Sequence, residues 1–549
     1  MARRMAILVV LVAALVTFGC GEKAGSGGSP GGPSGEPSGG SSVKETIVAM
    51  LPPEVPLQAL QVSGDLNRVI YVARRGKKEV VVLDGKESRQ YDKVLAAAED
   101  WWYAYYGTNE YGVPANLVGP IATEFRFAFS PDSRHVAYAA KDGNNRFVVA
   151  DGQEGGRYDN IERIIYSPDS GHLAYVAKKG GSAILVVDGK ERPPAGRVED
   201  FRFSEDGTVK WVAIDDHAIT FTDGEKVLWK YTGEGLTARQ LELYNDELQA
   251  WNLKQSRAAW VEMLGKGERA VVDGVAGKQY NHVGSIKFSP DGKRIAYVGG
   301  LPRVEGTEIY PAVMVVDGVE GPKYAKVGTA VFSPDGRHVA YLAKATGDPQ
   351  RGEECMIVLD GVESPRYSDA TSPVFSRDSE HYAYRAQSQG KAAVYVDGKG
   401  GKTYEGVSGP TFSPDGAHVA YSATGGGRQW VVLDGKDGRA YYTVENITFS
   451  PDSKRLAYLA QVGADKFVVV DGKQGEPYNE VGGFAWSPDS KRYAYRANIP
   501  PDWVLYVDGR KAYTASEWLT PLAFDSDGVI RFVATRGRGE FVKVEVTPK

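Results

Sequence analysis

One unit of 37 residues recurs along most of this chain, and this repeat limits the possible folds more than any other feature. Seven units have a Ser-Pro-Asp turn signal, as at Ser413–Gly416, and degenerate copies start at Phe203, Phe375 and Phe524. An Ala-aromatic pair or a variant of it follows, and then a β-branched run that ends in Asp-Gly. The step from the aromatic residue to the Asp, as from Tyr138 to Asp151, is 13 residues in seven internal units, and the step to the next aromatic residue is almost always 24. Twelve units are counted by their aromatic residues: Tyr71, Tyr138, Tyr175, Trp211, Trp260, Tyr297, Tyr341, Tyr384, Tyr421, Tyr458, Tyr495 and Phe532.

Each unit is predicted to form four short antiparallel strands. Ser-Pro-Asp-Gly places Pro and Gly where a type I turn favours them, between the first and second strands. A run such as Phe467–Val470 suits the third strand, and Asp-Gly favours a type I′ hairpin into a fourth strand that carries a Tyr, as at Tyr478. Many four-stranded units of this length predict an all-β protein with the β-propeller fold.

The spacing of Ser-Pro-Asp-Gly resembles that of TolB-type, WD40-like (PD40) propeller blades over roughly residues 60–549. This resemblance implies a fold and says little about function. Because twelve blades exceed the usual range of about 4–8 per ring, we expect two six-bladed rings. They would span residues 43–325, with insertions at 92–121 and 224–258, and residues 326–549. The last unit lacks a fourth strand, which Val43–Val48 is able to supply; closure by the chain ends leaves the choice between one ring and two open.

The first residues have the pattern of an export signal. Arg3 and Arg4 precede an apolar run that is shorter than the roughly 20 residues of a transmembrane helix, so residues 1–19 are predicted to be a signal peptide. Val16–Cys20 resembles the lipobox of bacterial lipoproteins, which implies lipidation of Cys20. The alternative is an ordinary signal peptide with an incidental cysteine.

Residues 20–42 follow as a predicted tether. From Gly21 to Ser42 the sequence is almost entirely Gly, Ser, Pro and Glu, a composition typical of a flexible spacer that cannot bury a core. A spacer directly after a lipidated cysteine would hold a folded domain away from a membrane. The sequence therefore predicts an exported protein that is lipid-anchored in a bacterial cell envelope, on the periplasmic side or the outer surface.

Composition and spacing exclude several kinds of site. A net charge of −5 and a pI near 6.0 give no basic face for nucleic acid. Two Cys residues cannot form a disulfide scaffold or a thiolate zinc site. Five His residues share one position five residues after the turn Ser, too far apart on separate blades to ligate one ion, and are expected at the surface: His135, His172, His338, His381 and His418. We therefore predict no metal, no cofactor and no catalytic residue.

Insertions into the repeat suggest a binding face. Two lengthen the second connection of neighbouring blades, and a third adds 30 residues between Asp84 and Tyr138, which we assign to the fourth connection on the same face. Binding groups are often carried on loops of a rigid scaffold. The candidate binding residues in these insertions are Trp101, Trp102, Tyr103, Tyr105, Tyr106, Tyr111, Arg303, Glu308, Tyr310 and Arg351.

Clustered Trp and Tyr suit recognition of proteins or stacking on sugar rings, although they also suit capping a ring or packing between two rings. Charges on extended hairpins are commonly only solvated. We predict a non-catalytic scaffold that binds envelope proteins or peptidoglycan and other glycans. The alternatives are a propeller enzyme acting on carbohydrate or peptide at a ring mouth, and a purely structural surface protein.

Overall fold

The computed structural model describes residues 41–50, 60–95, 127–192, 197–214, 218–232, 249–252, 257–264, 266–305, 310–345, 354–518, 520–536 and 540–548. Within these ranges every regular element is a β-strand, and no helix of the length and apolarity needed to cross a membrane occurs. The strands form twelve antiparallel sheets, so the predicted all-β propeller with twelve four-stranded blades is confirmed. Four sheets count five strands because the first strand of the blade is interrupted.

Blades are numbered here in chain order, and each runs from its first strand to its fourth. Blade 1 comprises Leu60–Val62, Val69–Arg75, Lys78–Leu83 and Lys86–Glu87; blade 2 Lys93–Leu95 with Phe127–Phe129, Val136–Asp142, Asn145–Ala150 and Gln153–Glu154; blade 3 Asn160–Tyr166, Leu173–Lys179, Ser182–Val187 and Lys190–Glu191. Blade 4 comprises Arg197–Phe203, Val209–Ile214, Ala218–Asp223 and Lys226–Thr232; blade 5 Gln249–Asn252, Arg257–Leu264, Gly267–Val272 and Val275–Tyr280; blade 6 His282–Phe288, Ile295–Gly300, Ala312–Val316 and Val319–Tyr324.

Blade 7 comprises Lys326–Val327 with Val331–Phe332, Val339–Lys344, Cys355–Leu359 and Val362–Glu363; blade 8 Asp369–Ala370 with Val374–Phe375, Tyr382–Ser388, Lys391–Val396 and Lys399–Gly400; blade 9 Gly406–Val407 with Thr411–Phe412, Val419–Gly425, Arg428–Leu433 and Lys436–Asp437. Blade 10 comprises Thr443–Phe449, Leu456–Val462, Asp465–Val470 and Lys473–Gln474; blade 11 Glu480–Trp486, Tyr493–Ile499, Asp502–Val507 and Arg510–Ala515; blade 12 Glu517–Trp518, Ile530–Arg536, Glu540–Pro548 and, as its fourth strand, Ser41–Met50.

The repeated turns have the conformations that the sequence predicts. Gly292 N–H donates to the Ser289 carbonyl at 2.8 Å, which closes the turn between the first and second strands of blade 6. Asp471 and Gly472 have φ values of 51° and 75°, and positive φ at both positions defines the type I′ hairpin. The same two turns occur in most blades because they depend only on local sequence.

Hydrophobic packing joins each blade to the next. Tyr158, which follows the fourth strand of blade 2 and bridges to Arg146, packs edge-on against the second-strand Tyr175 of blade 3, with ring centroids 6.2 Å apart. The same pairing recurs at Tyr367 and Tyr384, whose hydroxyl oxygens lie 3.0 Å apart. Alternating residues of each blade therefore pack on opposite neighbours, as expected for a propeller.

The chain ends close the ring. Ser41–Met50 pairs antiparallel with Glu540–Pro548, so the predicted fourth strand at Val43–Val48 is supplied by the N-terminal segment. Blade 12 in turn packs on blade 1, because Val533 and Phe541 share a buried cluster with residues of the blade 1 strands.

Packing continues across residues 325 and 326 as it does between other neighbours. Tyr324 and Met314 of blade 6 share one cluster with Tyr341 and Met356 of blade 7. Twelve such clusters, each shared by consecutive blades, link the described blades into one closed cycle. This arrangement differs from the expected two six-bladed rings, because the strand that completes the last blade brings that blade against the first.

The first strands form the inner edge of the ring. Those of neighbouring blades contact each other, as do Phe127–Phe129 with Asn160–Tyr166 and Gln249–Asn252 with His282–Phe288. Fourth strands such as Lys190–Glu191 are exposed. Blades of a propeller converge on a central channel, so the contacting first strands mark the channel side.

The His residues that share one position of the repeat hold two strands of their own blade together. His381 Nδ1 lies 2.7 Å from Oδ2 of Asp397, the Asp of the type I′ turn, and its ring stacks on Phe412 of the next blade. Other blades have Arg here: Arg257 Nε donates to Asp273 at 2.8 Å, and its Nη1 donates to two backbone carbonyl oxygens of the next blade. These positions therefore serve the packing of blades.

His381→Arg is expected to stabilise the protein increasingly as the pH rises from 6 to 8. The hydrogen bond with Asp397 raises the pKa of His381 above its usual 6.5, so its protonated form contributes stability that is present below 6.5 and lost as the pH passes the raised value. Arg stays charged and is long enough to reach the next blade, although exposure limits the gain to about 1 kcal/mol or less. Urea unfolding at pH 5.5 and pH 8.5 measures the difference, with His381→Gln as the uncharged control. Equal gains at both pH values would contradict the prediction.

Candidate functional site at the inner edge of the ring

The first strand of most blades is irregular at one position of the inner edge. In blades 3, 6, 10 and 11 an extra residue bulges out of the pairing with a positive φ, at Arg163, Ser285, Asn446 and Gly483. In blades 7, 8 and 9 the pairing is interrupted at the same place. Bulges are common beside functional sites because they redirect a side chain or end a pairing.

The large insertion of blade 2 replaces this single residue. Leu95 pairs with Ala139, and Phe127 pairs with Tyr138, which is the adjacent register position on the second strand. The break between Leu95 and Phe127 therefore lies at the bulge position of the first strand. The expectation that this insertion, placed at 92–121, lies in the fourth connection is corrected. The aligned landmarks on either side of it, Asp84 and Tyr138, enclose both the fourth connection and the first strand, so counting between them could not separate the two.

The framework of blade 2 is intact on both sides of the insertion. Tyr91, Phe127, Tyr138 and Phe147 are all buried in one cluster with residues of blade 1. Only the edge strand is interrupted, and an edge strand pairs on one side only, so the other strands of the blade keep their ladder. The core of blade 2 is thus intact on both sides of the break in its first strand.

In the blade after the insertion, the bulge residue of the first strand forms an ion pair that joins blades 3 and 4. Arg163 Nη1 donates to Asp200, whose carboxylate is buried and also accepts from Phe201 N–H at 2.8 Å. The Arg163 guanidinium carbon lies 4.7 Å from the centre of the Phe201 ring. Glu162, one residue before the bulge, pairs with Lys178 at 2.7 Å. This part of the inner edge is therefore a rigid, charge-paired surface.

Further along the inner edge the corresponding side chains are small and polar. Thr329 Oγ1 donates to Ser285 Oγ at 3.3 Å and joins blades 6 and 7. Gly483 of blade 11 lies directly against Arg496, since a Cβ at Gly483 would be 3.3 Å from Arg496 Nη2. Small residues leave the guanidinium of Arg496 room at the inner edge between blades 11 and 12.

The two shorter insertions lie elsewhere on the blades. Arg303 is exposed in the second connection of blade 6, between Gly300 and Ala312, and Tyr310 in the same connection has 58% of its surface exposed. The insertion of blade 7 falls between Lys344 and Cys355, also in the second connection, as predicted. The structure therefore separates these residues from the inner edge where residues 96–126 emerge.

Several predicted site residues fall outside the described part of the chain. They are Cys20, Trp101, Trp102, Tyr103, Tyr105, Tyr106, Tyr111, Glu308 and Arg351. The extra residues after Asp223 are partly described: the fourth strand of blade 4 extends to Thr232, and residues 233–248 precede blade 5. Among the described residues no group of His, Cys, Asp and Glu is placed to hold a metal ion.

Arg496, at the inner edge between blades 11 and 12, was not singled out from the sequence. The residue that follows the aromatic residue by which each unit is counted is Val, Ala or Leu in nine of the twelve units, but it is Arg385, Ser422 or Arg496 in the others. Alignment of the units with one another shows such a charged residue at a position that is apolar in most of them.

The fold and the inner edge define a twelve-bladed β-propeller. No protein-family model matches the sequence, and no curated protein is detectably similar to it. Among solved structures, the chain is similar to a eukaryotic initiation factor, at 12% identity over 74% of this chain and 96% of that one, with a TM-score of 0.30.

It is also similar to the β-propeller domain of the Trilobed protease from Pyrococcus furiosus, at 12% identity over 48% of this chain and 94% of that one, with a TM-score of 0.24. A third similarity is to Porphyromonas gingivalis dipeptidyl peptidase 4, at 13% identity over 68% of this chain and 64% of that one, with a TM-score of 0.29. At identities this low the similarity concerns the fold alone. The arrangement of the blades follows from the packing within this chain.

Proposed function

We propose that this protein is a non-catalytic binding scaffold of a bacterial cell envelope, tethered through a lipidated Cys20. Residues 96–126, with their six candidate Trp and Tyr side chains, would bind an envelope protein or the glycan of peptidoglycan at the inner edge of the ring. The observation that carries the proposal is the replacement of one bulge residue by 31 residues between Leu95 and Phe127, with the register kept on both sides. A segment that the blade core does not require is free to serve recognition.

The position of the tether supports this proposal. The segment rich in Gly, Ser and Pro precedes Ser41, and the strand that begins there is the outermost strand of blade 12. The strand that follows this segment is thus distinct from the first strands of the inner edge. The lipobox-like Val16–Cys20 and the resemblance of the repeats to TolB-type blades are in keeping with the same location.

Replacing residues 96–126 with a single Gly is expected to abolish partner binding while the ring still melts cooperatively. Gly483 occupies the equivalent bulge of blade 11 with a φ of 67°, so one Gly reproduces a connection that this fold already uses. Capture of solubilised envelope proteins and of purified peptidoglycan measures binding, and circular dichroism follows the melt.

The matched control keeps the length of the insertion and changes its chemistry. Its aromatic residues become Ser: Trp101, Trp102, Tyr103, Tyr105, Tyr106 and Tyr111. Loss of capture in both variants would support recognition by these aromatic side chains. Capture undiminished in the variant with a single Gly would refute the proposed site, and no specific capture by the intact chain would refute the scaffold function.

A further inference from the structure

A second feature of the inner edge lies between blades 11 and 12, apart from the insertion. Arg496, in the middle of the second strand of blade 11, is partly buried. Its Nε donates a long hydrogen bond of 3.4 Å to the Gly482 carbonyl oxygen, and its guanidinium carbon lies 5.3 Å from the centre of the Trp518 ring of blade 12. The guanidinium is therefore enclosed by the bulge of one blade and the aromatic ring of the next.

Among the described residues no carboxylate pairs with the Arg496 guanidinium, whereas the other inner-edge arginines, Arg385 and Arg163, each pair with an Asp. Arg385, at the same position of blade 8, donates from Nη1 to Asp369 at 2.9 Å, and Arg163 pairs with Asp200. For Arg496 the single cause of its lowered pKa is burial, with no neighbouring negative charge to oppose it. Arg496 is thus a partly buried cation that has no carboxylate partner among the described residues.

The fold itself gives no reason for a charge here. Other blades fill this position with Val176, Val298 or Leu459, which pack without a polar partner. Burying a charge without a partner is destabilising, since the lost hydration is not replaced. An arginine kept in such a place is explained if a ligand supplies the missing negative charge.

We propose that Arg496 and Trp518 form an anion-binding site for a carboxylate group at the inner edge between blades 11 and 12. The guanidinium presents two parallel N–H donors that match the two oxygens of a carboxylate. Trp518 and the Gly482–Gly483 bulge both lie beside this guanidinium. Trp518 Nε1 is buried without an acceptor among the described atoms.

Two sources of carboxylate are compatible with this chemistry: the C-terminus of a peptide and the acid group of a sugar such as muramic acid. The site does not depend on residues 96–126, so its failure and that of the proposed partner site are distinguishable.

The test uses the segment 37–549, which forms one compact unit. Thermal melts are recorded at constant ionic strength with acetate, an N-acetylated dipeptide, N-acetylmuramic acid and, for comparison, phosphate. We expect the carboxylates to raise the melting temperature of the parent segment, because a ligand that binds only the folded state stabilises it. Whichever of the N-acetylated dipeptide and N-acetylmuramic acid raises the melting temperature more identifies the source of the carboxylate.

Three substitutions separate this site from a structural arginine. Arg496→Met is expected to melt at or above the temperature of the parent segment and to lose the response to carboxylates. Arg496→Lys keeps the charge but not the paired donors, and should bind roughly ten-fold more weakly or worse. The control, Arg385→Met, leaves Asp369 without its partner and should melt lower while keeping the response.

The opposite results would overturn the inference. If Arg496→Met melts as low as Arg385→Met, the guanidinium is structural. If phosphate and carboxylates act alike on the parent segment and on Arg496→Met, the anions exert only a general salt effect. A response to phosphate alone that disappears in Arg496→Met would show an anion site of the wrong chemistry and would also refute the carboxylate assignment.

Discussion

A chain that begins at residue 51 is expected to unfold at a much lower denaturant concentration than one that begins at residue 37. The deletion removes Ser41–Met50, the strand that pairs with Glu540–Pro548 along its whole length. Val43 and Val48 on this strand pack against the two clusters that join blade 12 to blades 11 and 1. Their loss opens the only junction of the ring that is not made by consecutive chain segments.

The expected loss of stability is on the order of 5 kcal/mol, from two partly buried valines and a row of unpaired backbone groups. Val542, Val544 and Val546 of the adjacent strand, which have no exposed surface, would lie on an open edge prone to aggregation. Guanidinium unfolding and size-exclusion chromatography measure both effects. The point-mutation control is Ile47→Asn, which changes an exposed side chain of the same strand.

A synthetic peptide of residues 41–50 provides a stricter test of the same junction. Added to the shortened chain, it should restore the unfolding midpoint in a concentration-dependent way, because it re-forms the missing strand. A peptide with the same composition in scrambled order should not. An unchanged midpoint in the shortened chain would show that the ring closes without the N-terminal strand.

Trp260→Ala is expected to destabilise the protein by about 3–5 kcal/mol, the usual cost of removing a large buried aromatic side chain. Trp260 has no exposed surface and lies in the cluster shared by blades 4 and 5, against Val212, Ile214 and Phe221.

The matched control is Tyr442→Ala, where 59% of the side chain is exposed and a change within about 0.5 kcal/mol is expected. Trp260→Phe should fall between the two, because it keeps an aromatic ring and loses only part of the buried volume. Equilibrium urea unfolding followed by tryptophan fluorescence and circular dichroism provides the measurement. A loss below about 1 kcal/mol for Trp260→Ala would mean that the junction collapses around the cavity.

Local features of the blade were accessible from the sequence because they depend on a few neighbouring residues. Ser289–Gly292 and Asp471–Gly472 form the two predicted turn types, and Trp260 lies on a second strand as its position in the repeat predicts. The second-connection insertion around Tyr310 was also placed correctly. In each case the landmark residues lie close to the feature that they predict.

The place of residues 96–126 was not accessible in the same way. The fourth connection and the bulge of the first strand lie between the same two landmarks of the repeat, so a count of residues fits both. Only the pairing of Leu95 with Ala139 and of Phe127 with Tyr138 separates them. Likewise, the spacing of the histidines predicted a surface position, while their Asp partners became visible only in the folded blade.

Local sequence specifies the blade: its length, its four strands and its two turns. These properties follow from short-range conformational preference and from the alternation of apolar residues, which a single unit already contains. The tertiary structure alone decided how many blades share one ring, because the strand that completes blade 12 lies almost 500 residues from its partner in the chain. It also decided that Arg496 lies without a carboxylate while Arg385 has one, since a charge acquires its partners only when neighbouring blades are in place.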